Sequence, residues 1–212
     1  MEDMKGVAFD LDDVLLDTES NLDWLYRAFR KTLAEYGINS SQENSQKIHS
    51  KNLLRFDKIS EELGIRSEEL WETRNKNYIE EKMKAMKNRE ISPFPDIDSL
   101  YKLKETYGLT IVSDSPQEIV DFFIKEFNYE DLFDFGIGRG SKLEDLKTLK
   151  PTAYPLERLR EIVEYDTLIY IGDSEKDREF AENTGLEFIF LSRQEDDGFN
   201  SLNKVVDYLL SV

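Results

Sequence analysis

Val7-Ala8-Phe9-Asp10-Leu11-Asp12-Asp13 joins a short apolar run to three acids within four positions. Carboxylates at i and i+2 leave an extended strand on the same face, so Asp10 and Asp12 can point together into one site. Like charges held that close tune one another, and a divalent cation would tune both. Acidic turns also follow strands without any chemical task, so the meaning of this pair depends on the rest of the chain.

Outward from that stretch, three more apolar runs have the look of buried parallel strands: 109–112, 168–171 and 188–191. A weaker candidate is 133–137. Ile119, Val120, Phe123 and Phe127 fall on one helical stripe, as do Leu156, Leu159 and Val163. Strands alternating with helices predict an α/β fold with a parallel sheet, whose ligands sit at the carboxyl ends of the strands. Residues 17–90 read differently. Leu22, Leu25, Phe29, Leu33 and Tyr36 predict a helix stopped by Gly37, and Leu53, Phe56, Ile59 and Leu63 a second stopped by Gly64. A third starts at an N-cap Ser67 and carries Trp71, Tyr78, Ile79, Met83 and Met86. Pro93 and Pro95 mark the return, which divides the chain into a core of residues 1–16 and 91–212 and a helical insertion of 17–90.

Composition narrows the chemistry. The 212 residues suffice for one sizeable core and a smaller lobe. With 28 Lys+Arg against 45 Asp+Glu, the net charge of −17 repels phosphate backbones and anionic membranes, so no nucleic-acid or membrane partner is expected. The absence of Cys removes disulfides, zinc-thiolate sites and thiol nucleophiles. A lone His49 excludes multi-His metal sites and Ser-His-Asp triads. No apolar run approaches about 18 residues, and a soluble, cytoplasmic protein is expected. Residues 17–90 hold 14 basic and 14 acidic residues, so the entire negative charge lies outside the insertion. A neutral lobe over an acidic core can offer cations to an anionic substrate, with Arg27, Arg30, Lys51 and Arg55 as candidates, although ordinary solvated helix faces account for them too. Trp24, Trp71 and Tyr78 are expected to pack between helices, and His49 to sit in an exposed loop.

The remaining strand ends carry chemistry of the same kind. Ser113 closes the second strand, and Ser115 with Glu118 reads as a capping box with Pro116 at the first helical position. Ser113 would then stand just ahead of a helix N-terminus, where free N–H groups attract phosphate. Lys150-Pro151 precedes a helix beginning near Pro155, with Lys142 and Lys147 as competitors for neutralising phosphate. Gly172 permits a tight turn that brings Asp173 beside Asp10, a hard-oxygen pair suited to Mg²⁺. Ser174 and Asp177 form a capping pair on the helix that follows.

D-x-D, Ser, Lys-Pro and G-D-S-x-x-x-D, each at a strand end and in this order, resemble the haloacid dehalogenase superfamily. The likeness covers nearly the whole chain. It is most specific in Phe9-Asp10-Leu11-Asp12 with Val14-Leu15-Leu16-Asp17-Thr18-Glu19, and favours the phosphoglycolate-phosphatase-like and β-phosphoglucomutase-like branch with a helical cap. The resemblance implies a Rossmann-like doubly wound core and a Mg²⁺-dependent phosphatase acting on a small phosphorylated metabolite, as monomer or homodimer. Asp10 would be the nucleophile that forms an aspartyl-phosphate, and Asp12 the general acid and base. Ser113, Asp114 and Lys150 would stand at the phosphate. Asp10, Asp173 and the backbone carbonyl of Asp12 would hold the metal, with Asp177 behind them.

The chain departs from the family's pattern at Asp13, at Asp114 and in the lysine-rich approach to Lys150, whose register is set by the Lys150-Pro151 pair. Asp13 replaces the usual Gly and must tolerate the local backbone, for which Asp is among the better non-Gly choices. Asp114 stands where a neutral residue is common, and would weaken phosphate binding unless it turned away or met Lys150. Dehalogenases lack the second acid, so Asp12 favours phosphoryl transfer. A phosphomutase remains open, as does a catalytically silent protein on the same fold. A response-regulator receiver fits poorly, because its phosphoacceptor should end a third strand and Asp57 lies in a helical pattern.

Overall fold

The computed structural model describes residues 4–49, 55–194 and 198–212. Five parallel strands form one sheet: β1 (Lys5–Phe9), β4 (Tyr107–Pro116), β5 (Phe135–Arg139), β6 (Thr167–Gly172) and β7 (Glu187–Phe190), in the order β5-β4-β1-β6-β7. β1 is central, with Phe9 in register with Ile111 on one side and Ile171 on the other. The order reverses on either side of β1, leaving a crevice at its carboxyl end.

Alternation along the strands divides the core. Val7, Phe9, Ile111 and Ile171 face one layer, which holds Ile119 and Phe123 of α5 (Gln117–Glu126) and Val205 of α8 (Leu202–Leu209). Ala8, Val112 and Tyr170 face the other, with Leu156 of α6 (Tyr154–Arg160) and Phe180 of α7 (Glu175–Thr184). Burial on both faces explains why these strands read as apolar runs rather than alternating ones.

Between β1 and β4 the chain makes a two-stranded antiparallel ribbon, β2 (Leu16–Asp17) with β3 (Ser92–Pro93), which the sequence reading did not anticipate. Among the described residues the ribbon brackets α1 (Asp23–Glu35), α2 (Gln42–Lys47), α3 (Phe56–Leu63) and α4 (Ser67–Lys87). Gly37 and Gly64 end α1 and α3 in left-handed conformation, at φ 66° and 68°. Leu53, expected on the second helix, lies outside the described residues. Ser67 is the first residue of α4 rather than its cap, a position held by Arg66 without a side-chain hydrogen bond. Trp24 packs edge-on to Tyr78 at 5.3 Å and Phe56 to Trp71 at 5.4 Å, so the aromatics pack between helices as expected. His49 is half-buried and meets the Phe29 ring at 5.6 Å, which corrects the expectation of an exposed loop residue.

Candidate active site

Asp10 follows β1 directly, and its amide donates to the Ile171 carbonyl at 2.8 Å, so β6 fixes where the carboxylate emerges. Asp10 Oδ2 lies 3.1 Å from the Lys150 ammonium. Lys150 is buried and donates to Asp177 Oδ1 at 2.5 Å and to the Tyr170 hydroxyl at 2.7 Å. Tyr170 thus braces the lysine from inside the sheet. A tyrosine in an apolar run carries no signal of that role, and the sequence reading missed it.

Carboxylate oxygens of Asp10, Asp173 and Asp177 lie within 4.8 Å of one another. Burial pushes Asp10 up to about 7 against the pull of Lys150, with Asp177 and Asp12 adding to the rise. Burial, then Asp10 and Asp177, push Asp173 up to about 8. Burial would also raise Asp177, but Lys150 and hydrogen bonds from Lys150, Ser174 and Tyr170 hold it below the usual carboxylate range. Hard oxygen donors crowded into mutual repulsion fit a divalent cation such as Mg²⁺.

Gly172 serves a different purpose from the tight turn expected of it. Its φ is not left-handed, and the turn does not require glycine for that reason. A Cβ there would come within 2.4 Å of the Asp177 Cβ, so glycine makes room for the acid that holds Lys150. The Ser174–Asp177 capping box on α7 is present as expected.

Asp12 is held from two sides. Ser115 Oγ donates to its Oδ2 at 2.7 Å, and the Lys82 ammonium of α4 donates to its Oδ1 at 2.5 Å. Lys82 also reaches Ser115 Oγ at 2.9 Å and sits 5.5 Å from the ring centroids of Trp24 and Tyr78. Burial works against its charge, yet Asp12 and Tyr78 more than offset that, and its pKa is raised. Ser115 therefore does not form a capping box with Glu118; Pro116 occupies the N-cap position, with no side-chain cap bond. Nor does β4 stop at Ser113. It runs irregularly to Pro116, where α5 begins. Ser113 is buried, and its Oγ accepts from the Ser115 amide at 3.2 Å.

The departures at Asp13 and Asp114 are accommodated locally. Asp13 adopts φ 60°, and its carboxylate accepts from the Thr18 amide at 3.0 Å, the Thr18 hydroxyl at 2.9 Å and the Glu19 amide at 2.9 Å. Burial, then Asp12, push it up to about 6. Asp114 accepts from the Lys150 amide at 2.9 Å and pairs with the Lys176 ammonium, so its charge is met by the protein.

Asp10, Asp12, Ser113, Asp114 and Lys150 line one cavity of about 600 Å³. Lys147 lines it as well, whereas Lys142 does not and pairs with Glu144. The candidate cap cations fare differently. Arg27 pairs with Glu81 and Glu90, Arg30 and Arg55 are exposed, and Lys51 lies outside the described residues. The helical segment instead sends Arg74 and Tyr78 into the cavity wall and Lys82 onto Asp12.

The model of the haloacid dehalogenase-like hydrolase family matches residues 7–191. No curated protein matches the chain. Among solved structures, the chain is similar to a phosphatase of that superfamily from Thermococcus onnurineus, at 23% identity and TM-score 0.63 over 97% of this chain and 98% of that one. It is similar also to a predicted phosphatase from Clostridium acetobutylicum, at 20% identity and TM-score 0.69 over 99% of each chain. CbbY from Rhodobacter sphaeroides, crystallised in complex with phosphate, superposes at 19% identity and TM-score 0.66 over 95% of this chain and 96% of that one. At these identities the likenesses establish the fold.

Proposed function

This chain belongs to the haloacid dehalogenase-like hydrolases, and we propose from that premise that it is a Mg²⁺-dependent phosphatase of a small phosphorylated metabolite in the cytoplasm. The observation that carries the reading is the arrangement around the two acids. Asp10 faces a buried lysine at 3.1 Å, while Asp12 is fixed independently by Ser115 and Lys82. Two carboxylates with separate supports suit two separate tasks.

In this mechanism a carboxylate oxygen of Asp10 attacks phosphorus as the bond to the leaving oxygen breaks, giving an aspartyl-phosphate. Asp12 delivers a proton to the leaving oxygen, then accepts one from the water that cleaves the acyl phosphate. Lys150 and Ser113 bind phosphoryl oxygens as charge shifts in the transition state. Asp114 orients this group through the Lys150 amide and restrains Lys176, so it acts beside the phosphate rather than upon it. Asp10, Asp173 and the Asp12 carbonyl would hold Mg²⁺, with Asp177 behind them, and the bound ion would offset repulsion between nucleophile and phosphate. Residues 17–90 serve as a cap over a core of 1–16 and 91–212, and the cavity between them receives the substrate.

Phosphate release from an aryl phosphate and a panel of small esters, with Mg²⁺ and with EDTA, tests this for wild type and Asp10→Asn. Turnover that needs the metal and is lost in Asp10→Asn is expected. Turnover that survives Asp10→Asn, or its absence on every ester together with no beryllofluoride adduct, overturns the reading. Phosphate moved within the substrate without release would assign a mutase instead.

A further inference from the structure

β4 leaves its regular ladder with β5 just where it reaches the acids. Val112 is paired with Ile137, and the next pair is Pro116 with Arg139, so β4 advances further than β5 between the two. The surplus lies in Ser113-Asp114-Ser115, which stands out as a bulge. Bulges beside active sites re-aim side chains, and this one aims Ser115 Oγ at Asp12 Oδ2, 2.7 Å away. Within the bulge the Ser115 amide turns inward to Ser113 Oγ at 3.2 Å. The residue that follows is Pro116, which has no amide hydrogen with which to fasten the end of the bulge.

Gln117, the first residue of α5, does that with its side chain. Its Nε2 donates to the Gly136 carbonyl at 2.8 Å, and its Oε1 accepts from the Gly138 amide at 2.7 Å. The two β5 groups flank Ile137, the last residue in register before the bulge. A primary amide that donates and accepts along a strand holds it as a neighbouring strand would. Nε2 also donates to Asp121 Oδ1 at 2.9 Å, so both of its hydrogens are used. The approach is close enough to need glycine at 138. A Cβ there would fall 2.7 Å from the Gln117 backbone and 2.8 Å from the Ser115 carbonyl oxygen, atoms that cannot swing aside. Gln117 is not among the residues that line the cavity of Asp10 and Asp12, and its amide is already occupied.

We propose that Gln117 is a positioning residue for the acid–base step: by stapling the end of the bulge to β5 it fixes Ser115, and through Ser115 the carboxylate of Asp12. The proposal rests on the phosphatase reading above and adds to it a residue that never meets the substrate. Asp12 has two side-chain donors, Ser115 from β4 and Lys82 from α4. The hold through Lys82 depends on where α4 stands, whereas the hold through Gln117 and Ser115 lies wholly within the sheet and its first following helix. Without the staple the bulge shifts against β5, Ser115 leaves Asp12, and the acid keeps Lys82 alone.

The test is a double-mutant cycle in kcat, measured with Mg²⁺ on an ester that the wild type hydrolyses. Gln117→Leu should lower kcat by at least about 5-fold and leave KM within about 3-fold of wild type. Gln117→Glu keeps an acceptor for the Gly138 amide but loses the donor to Gly136, and should fall between. In a Ser115→Ala background the same Gln117→Leu change should lower kcat by less than about 2-fold, because the path to Asp12 is already cut. A structural residue alone would lower Tm in both backgrounds without that loss of additivity in kcat. A smaller kcat loss in the wild-type background, a loss carried by KM, or one that reappears in Ser115→Ala overturns the proposal and leaves the phosphatase standing. If Gln117→Leu does not fold, Gln117→Glu carries the same comparison in its place. If wild type hydrolyses no ester, hydrogen exchange of the Ser115 amide decides separately. Exchange faster by at least about 10-fold in Gln117→Leu sustains the staple, and a smaller change overturns it.

Discussion

A buried ammonium destabilises a fold unless another group answers its charge. Lys82 is answered by Asp12 at 2.5 Å, with Ser115 completing a triangle at 2.9 Å and 2.7 Å. Lys82→Met should therefore release one oxygen of Asp12 and lower kcat roughly 10-fold or more, at a structural cost of about 1–3 kcal/mol. Steady-state kinetics beside thermal unfolding check it, and an unchanged kcat would show that α4 does not position the acid. Gly172→Ala makes a sharper structural test, because its Cβ would fall 2.4 Å from that of Asp177. Displacing Asp177 disturbs Lys150, so a loss of about 1–3 kcal/mol in unfolding free energy should come with reduced turnover. At this scale the placing of Asp10, Asp12, Ser113 and Asp173 near strand ends was legible, since each stands at or just past an apolar run, whereas Lys150, which follows a short helical turn after β5, was marked only by its Lys-Pro pair and Asp177 by its capping pattern. Lys82 and Arg74 were not legible. In sequence a mid-helix lysine looks like any solvated lysine, and only the docking of α4 brings it to an acid 70 positions away.

At the scale of elements, α4 is a carrier. Trp71, Arg74, Asn75, Tyr78 and Lys82 recur at helical spacing and share the face turned toward the sheet. The apolar residues of this helix were read from the sequence, but its cations and its amide face the same way and were passed over. Helix starts repeat the lesson. The S-x-x-D pattern at Ser174 is a cap, whereas the S-x-x-E pattern at Ser115 is not, because Asp12 accepts its hydroxyl instead. Alanine at each position separates the two roles. Ser174→Ala should cost about 1 kcal/mol, a fall of roughly 2–4 °C in Tm for a chain of this size. Ser115→Ala should act on kcat through Asp12 with no loss of α5 helicity. Circular dichroism melts together with kinetics distinguish them, and similar behaviour of the two variants would contradict the assignment.

For the molecule as a whole, the acidic cluster predicts an inverted pH response. Without metal, Asp10 and Asp173 hold their protons to about 7 and about 8 when folded, against 3.8 for an ordinary carboxyl. Between about pH 4 and pH 8 the folded state then binds more protons than the unfolded one, so stability falls as pH rises through that window. Asp177 is depressed instead; its contribution is lost only as pH drops through its folded pKa, below that range. Thermal unfolding in EDTA should therefore show Tm declining from pH 5 to pH 8. Saturating Mg²⁺ or Asp173→Asn should flatten the slope, and a level EDTA profile would argue that the three acids do not crowd one another. No helix among the described residues is long and apolar enough to cross a membrane.

The place of β1 bears on how the molecule comes into being. Its residue Lys5 is aligned with Tyr107 on one flank and Thr167 on the other. A ribosome releases the amino end first, so the middle of the sheet emerges long before either flank exists. Through that interval α1 and α4 can already pack with each other, while Val7, Ala8 and Phe9 wait with both edges open. Closing the sheet then requires long-range pairing, which is slow and leaves an apolar edge uncovered. The strand that ends at the nucleophile thus keeps one edge open until β6 arrives, and β6 in turn is closed on both sides only when β7 follows.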